Sequence, residues 1–219
     1  MDNYRNLTEK EIATLVVYGC NADNWNNITV AQDFNPAYIS NVSFSGNVRL
    51  GTFNKVFEME GGFKKHSGIY NCCIHNCTIG NDVFIDKIQN YIANYHIGNG
   101  CYIENTNTML VDQNSRFGNG TRVGVMNETG GREIPVFDHL SAPLAYILTL
   151  YRHRPEVIEK LQNMIDNYAR QISSEMGEIG ENSIIVNCGR IKNVKIGEYA
   201  SIKGASNLKN GSVNSNKKA

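Results

Sequence analysis

Apolar residues recur along this chain at every sixth position, a spacing that fits neither the 3.6-residue period of a helix nor the alternation of a long strand. Cys73, Ile79, Ile85, Tyr91, Ile97 and Ile103 form one such series, Phe44, Leu50 and Val56 another, and Ile196, Ile202 and Leu208 a third. Val111, Phe117 and Val123 resume the spacing after a two-residue slip. A companion series runs two residues earlier, through Val42, Val48, Cys77, Val83, Tyr95, Cys101, Thr121 and Ala200. Blocks such as Ile79-Gly80-Asn81-Asp82-Val83 and Ile97-Gly98-Asn99-Gly100-Cys101 repeat an apolar residue, a glycine, two polar residues and a small residue. The period predicts short strands joined at corners, with the bulky and the small residue both pointing inward. One coil cannot bury its own apolar face, so successive coils must stack.

Two stretches leave this pattern. Phe57 to Gly68 breaks the six-residue register and predicts a loop projecting from a corner. Asp138 to Gly177 reads as an inserted helix pair. Ser141 can cap the first helix, with Pro143 in its first turn and Leu144, Ile147, Leu148 and Tyr151 as its apolar face. Pro155 opens the second, where Val157, Ile158, Leu161, Met164, Ile165, Tyr168, Ile172 and Met176 fall at helical spacing and Gly177 can end it. These helices are expected to pack on each other and on the β wall, or on a neighbouring subunit. At the N-terminus, Thr8-Glu9-Lys10-Glu11 matches a capping box and predicts a helix near residues 8–19 over the open end of the strands. The expected organisation is a helical cap over 1–30, a β region over 31–137, the helix pair over 138–177, a β continuation over 178–213 and a tail at 214–219. Leu208 keeps the register, yet no capping helix follows before Ala219. The expectation is a natural protein that continues further.

Composition supports many tight corners. The 219 residues include 20 glycines, about 30 asparagines and only four prolines, and glycine and asparagine tolerate left-handed backbone. With 21 basic and 21 acidic residues, the chain lacks the footprint of a nucleic-acid or anionic-membrane binder. No apolar run reaches the roughly 18–20 residues of a membrane span, and Met1 to Lys10 carries no signal-peptide pattern, so the expected compartment is the cytoplasm.

The repeated blocks, over roughly residues 40–130 and 179–213, resemble the hexapeptide-repeat family, whose members form left-handed parallel β-helices. The resemblance implies that fold here, mostly β, with the short N-terminal helix and the inserted helical hairpin added to it. A second similarity rests on Asn127-Glu128-Thr129-Gly130-Gly131-Arg132-Glu133-Ile134-Pro135, Leu140-Ser141-Ala142 and Tyr151-Arg152-His153-Arg154-Pro155. These look like a gut-bacterial family of unknown function with longer members, and that similarity carries no activity.

What the first resemblance implies about function is an acyl- or acetyltransferase, acting on a sugar or nucleotide-sugar. Acyl-CoA or a similar thioester would be the co-substrate, no cofactor would be tightly bound, and the homo-oligomer would be a trimer. A histidine would deprotonate the acceptor, which attacks the thioester while backbone amides hold the oxyanion. A non-catalytic β-helical scaffold or regulatory module, part of a longer chain, is the alternative. His96, His75 and His66 are the candidate bases, expected on one outer side; ordinary surface residues at corners would look the same. His139 reads as part of a helix cap and His153 as a solvated helix end. Lys64 and Lys65 could grip a phosphate, as could Gly130, Gly131 and Arg132; a loop tip and a structural corner are the plainer readings. Cys72, Cys73, His75 and Cys77 invite a zinc site. The register places Cys73 and Cys77 inward and Cys72 and His75 outward, so the four do not converge, and no metal is expected.

Overall fold

Most of the periodic positions do form the core. In the computed structural model, which describes residues 4–125, 130–131 and 133–218, Phe44, Leu50, Ile79, Val83, Ile85, Ile97, Cys101, Ile103, Ile196 and Ile202 are all buried. They lie on short strands paired so that like sits on like. Ile69, Ile85, Ile103, Ile185 and Ile202 make one ladder. Phe44, Ile74, Ile92, Met109, Ile191 and Leu208 make a second. Leu50, Ile79, Ile97, Ile179, Ile196 and Val213 make a third. Each buried isoleucine contributes on the order of 1.5–3 kcal/mol of transfer free energy.

The regular left-handed parallel β-helix of hexapeptide repeats is corrected. Among the described residues, the laddered strands belong to one fifteen-stranded mixed sheet. Arg5–Asn6 runs antiparallel to Ile28–Val30, and two further antiparallel pairs stand apart from that sheet. Ladder steps are unequal: Ile39 pairs with Ile69 and Ile28 with Val48, whereas Ile79 pairs with Ile97. Strands also outgrow a hexapeptide edge, the longest being Phe84–Ala93. Its register against Tyr102–Leu110 shifts between Ile88 and Tyr91. The side chains record these irregularities. Cys72 is buried and Cys73 exposed, the reverse of expectation, and Tyr91, Val56, Val123 and Thr121 are exposed too. The acyltransferase reading rested on the regular fold and loses its footing with it.

Corners explain the asparagines. Asn41, Asn71, Asn76, Asn94, Asn105, Asn182, Asn187, Asn193 and Asn210 all have φ between 47° and 60°. Asparagine accepts this left-handed region at little cost. The side chains then bond from strand to strand: Asn41 Nδ2 donates to Asn71 Oδ1 (2.9 Å), and Asn71 Nδ2 to Asp86 Oδ1 (2.8 Å). Asn105 reaches Asn187 (2.8 Å) in the same way.

The helices fall near their expected places. α1 (Glu9–Val17) has the full capping box: Thr8 accepts from the Glu11 amide and Glu11 accepts from the Thr8 amide. Glu11 also receives both arms of Arg5 at 2.7 and 2.8 Å, which hold its carboxyl down at about 2. Leu15 is the residue that α1 buries in the core. α2 (Ala142–Leu150) is capped by Ser141, and α3 (Pro155–Gln171) begins on its proline. α3 ends earlier than expected, and Gly177 opens the strand Gly177–Ile179 instead of closing the helix. The pair has its own small core of Leu148, Ile165 and Ile134, built on each other and on the hairpin of Thr121–Gly124 and Glu133–Val136. No helix among the described residues is long and apolar enough to cross a membrane.

The corner account can be tested at Asn71, whose φ is 47°. Asn71→Gly removes the side-chain bonds but keeps the backbone free, whereas Asn71→Ala also imposes the left-handed penalty of about 1–2 kcal/mol. Urea unfolding is expected to rank stability as wild type, then glycine, then alanine. Equal losses for the two variants would refute the backbone account.

Candidate functional site

The stretch expected to be a projecting loop is an antiparallel hairpin. Val56–Glu58 pairs with Lys64–His66, and Gly61 and Gly62 turn between them at φ 78° and 80°. Its second strand delivers two of the predicted residues. Lys65 Nζ donates to both Glu104 oxygens (2.6 and 2.7 Å) and to the Tyr102 hydroxyl (2.9 Å), which in turn donates to Glu104 at 2.5 Å. The ammonium lies 5.1 Å from the Phe84 ring and 5.6 Å from that of Tyr102, and these two rings stack 4.7 Å apart. This clasp ties the hairpin to the central strands. Burial alone would raise the Glu104 carboxyl, but the Lys65 and Tyr102 bonds outweigh it and hold the group below the usual glutamate range. Burial and the neighbouring carboxylate push the Tyr102 hydroxyl well up, so it stays a donor.

His66 follows on the same strand. Its Nδ1 lies 2.8 Å from the Ser67 carbonyl, an acceptor, so Nδ1 carries the proton and Nε2 is left as an acceptor. The ring stacks on Tyr38, centroids 3.9 Å apart. Between hairpin and sheet is an open hollow of about 660 Å³ lined by Lys65, His66, Tyr70, Phe84, Asp86, Lys87 and the hairpin tip. Lys64, by contrast, is exposed opposite Glu58.

The other two histidines do not join it. His75 pairs with Ala93 and His96 with Thr78, so the two sit on different ladders and do not stack on one another. His75 is committed on both nitrogens. Asn76 Oδ1 accepts from the Asn47 amide, which turns its Nδ2 onto His75 Nε2 at 2.9 Å. The proton is then on Nδ1, 2.8 Å from Ser45 Oγ. A histidine so placed has no lone pair left for an incoming hydroxyl. His96 is exposed between Thr78 and Glu178 and borders two hollows, neither of which includes His66 or His75.

The remaining candidates stay apart. Gly130 and Gly131 are exposed at φ 85° and 86°, and the Gly131 amide already donates to Glu133 at 3.2 Å. Arg132 lies outside the described residues. His139 is near Asp138 at 3.8 Å, and His153 near the Tyr151 ring at 5.5 Å. Burial pushes the Cys77 thiol up to about 12 and Cys72 well up, so both act as small apolar residues in the core. No group of three metal-ligating side chains occurs among the described residues.

Sequence reasoning missed Tyr70, Phe84, Asp86, Tyr102 and Glu104. A signal was present: Phe84 and Tyr102 each precede an inward isoleucine at equivalent positions of adjacent strands, as Asp86 and Glu104 follow one.

The clasp predicts a pH dependence. A carboxyl lowered on folding adds stability above the ordinary glutamate range and loses it as pH falls through its lowered value. Amide protection across Val56–His66, taken relative to the intrinsic exchange rate at each pH, should therefore be high at neutral pH and fall in acid. Glu104→Gln should lower it at neutral pH, at a cost of about 1–3 kcal/mol. Unchanged protection in the variant would show that the clasp does not hold the hairpin.

Comparison with known proteins adds a family without an activity. A family model described as a domain of unknown function (DUF4954) matches residues 4–219. An uncharacterized protein of Treponema pallidum (strain Nichols) is 29% identical over 97% of this chain, and the match covers 31% of that relative. The chain thus spans about a third of that relative's length. No solved structure matches. On the strength of a match running almost end to end, the chain belongs to the DUF4954 family.

Proposed function

We propose that the chain is a non-catalytic β scaffold, one module of a longer protein. The observation that carries this reading is the fate of the acid–base groups. Many of those with catalytic chemistry hold elements of the fold together. Glu104 is bound by Lys65 and Tyr102, Glu11 by Arg5, Asp86 by Asn71, Asp112 by Lys192 and His75 by Ser45 and Asn76. General catalysis needs a group whose lone pair or proton can reach the substrate, with a partner to orient it. His66 and His96 keep free ring nitrogens but border different hollows. The relative's greater length agrees with a modular role.

The test is acyl transfer itself. With acetyl-CoA as donor and UDP-N-acetylglucosamine or an amino sugar as acceptor, thiol release is expected to stay at the buffer background. Acetyl-CoA is also expected to leave the unfolding midpoint unchanged, whereas a ligand at a hundred times its Kd would add about 2.7 kcal/mol. Saturable thiol release that disappears in His66→Ala or His96→Ala would overturn the proposal.

A further inference from the structure

The hollow between hairpin and sheet has features that a purely structural clasp does not require. Its lining carries two basic side chains, Lys65 and Lys87, and two acidic ones, Glu60 and Asp86. Lys65 is spent on Glu104, and Asp86 has Asn71 on one oxygen and Lys87 at 4.0 Å from the other. An anionic ligand would meet no net positive charge there. The free polar capacity is instead that of a hydroxyl-binding surface. His66 Nε2 and the second Asp86 oxygen accept, Lys87 Nζ can donate beyond its 3.4 Å bond to Glu104, and the Tyr70 hydroxyl does both, since it has no hydrogen-bond partner among the described residues. Facing these groups is Phe63 of the hairpin tip, 63% exposed, an unusual place for a large aromatic. Gly68 adds a constraint: a Cβ there would come 2.4 Å from the Tyr70 hydroxyl, so the bare backbone leaves room for that ring.

We propose that this hollow binds a neutral pyranose ring, with the Phe63 ring against the sugar's apolar face and its hydroxyls on His66, Tyr70, Asp86 and Lys87. A pocket combining apolar surface with a few converging polar groups is the usual build of a small-molecule site. A sugar has such a build, with an uncharged rim of paired donors and acceptors around an apolar face. The site binds and performs no chemistry, so the inference goes beyond the scaffold reading and neither depends on the other.

Saturation-transfer NMR on the full chain tests it, using cellotetraose, maltotetraose and N,N′,N″,N‴-tetraacetylchitotetraose as probes and inorganic phosphate and citrate as charged controls. At least one oligosaccharide is expected to show saturable transfer to its ring protons at millimolar concentration. Phe63→Ala should weaken that binding by about tenfold, the upper end of one aromatic contact, and Asp86→Asn should weaken it as well. Phe63 is exposed, so its alanine variant is expected to fold, checked by an unchanged unfolding midpoint. Absence of transfer with all three sugars overturns the proposal. So does transfer that both variants retain in full, or competition by phosphate or citrate.

Discussion

Everything in this molecule depends on keeping equivalent residues in register from one strand to the next. A shift by one residue would put the apolar set on the solvent side and the polar set inside. In-register stacking is what lets Ile69, Ile85, Ile103, Ile185 and Ile202 form a continuous column. The same constraint governs the outside. Asn41, Asn71 and Asp86 lie close enough to bond in sequence only because their strands are aligned. Left-handed corners make the alignment affordable for the backbone, and asparagine serves both purposes at once, as a corner residue and as a rung of the outer ladder.

The periodic part of the fold was legible because inward positions repeat and the sequence states the repeat openly. The capping box at Thr8, the Ser141 cap and the Pro155 start were legible because each is a local signal whose partners lie within one helical turn. What the sequence concealed was non-local. Nothing near Cys72 or Cys73 announces which of the two turns inward, since the answer depends on strand alignment and on the register shift against Phe84–Ala93 between Ile85 and Ile92. Likewise, the antiparallel pairing of Arg5–Asn6 with Ile28–Val30 is invisible to a six-residue period. Of the site, Lys65 and His66 could be named from their place in a register break. Glu104 could not, because its partner is 39 residues distant and on a different element.

The clasp and the hollow show two uses of one ladder face. Phe84 and Tyr102 stack at equivalent positions and give Lys65 an aromatic seat beside its carboxylate. An ammonium drawn from water is tolerable when hydrogen bonds and ring faces replace its hydration. With Lys65 satisfied in this way, the hairpin borders an open hollow beside the sheet. The polar groups left unspent lie on that side, around His66 and Tyr70. His75, satisfied at both nitrogens, is the contrasting case of a histidine used only as a fastener.

The helix pair interrupts the chain without interrupting the sheet. The strand Tyr95–Ile97 pairs directly with Gly177–Ile179, and the buried Tyr95 hydroxyl donates to the Val194 carbonyl, 99 residues away. Asn99 bonds back to Asn81 across 18 residues but forward to Glu181 across 82. Closing the longer loop costs about 1.3 kcal/mol more in chain entropy than closing the shorter one, by the logarithmic dependence on loop length. The helix pair, held by its own small core, fills that loop with ordered structure. Strands before Leu110 pair over short separations, and those after Gly177 do the same among themselves, so the topology concentrates its loop-closure cost in the junction that joins the two sets across the insertion.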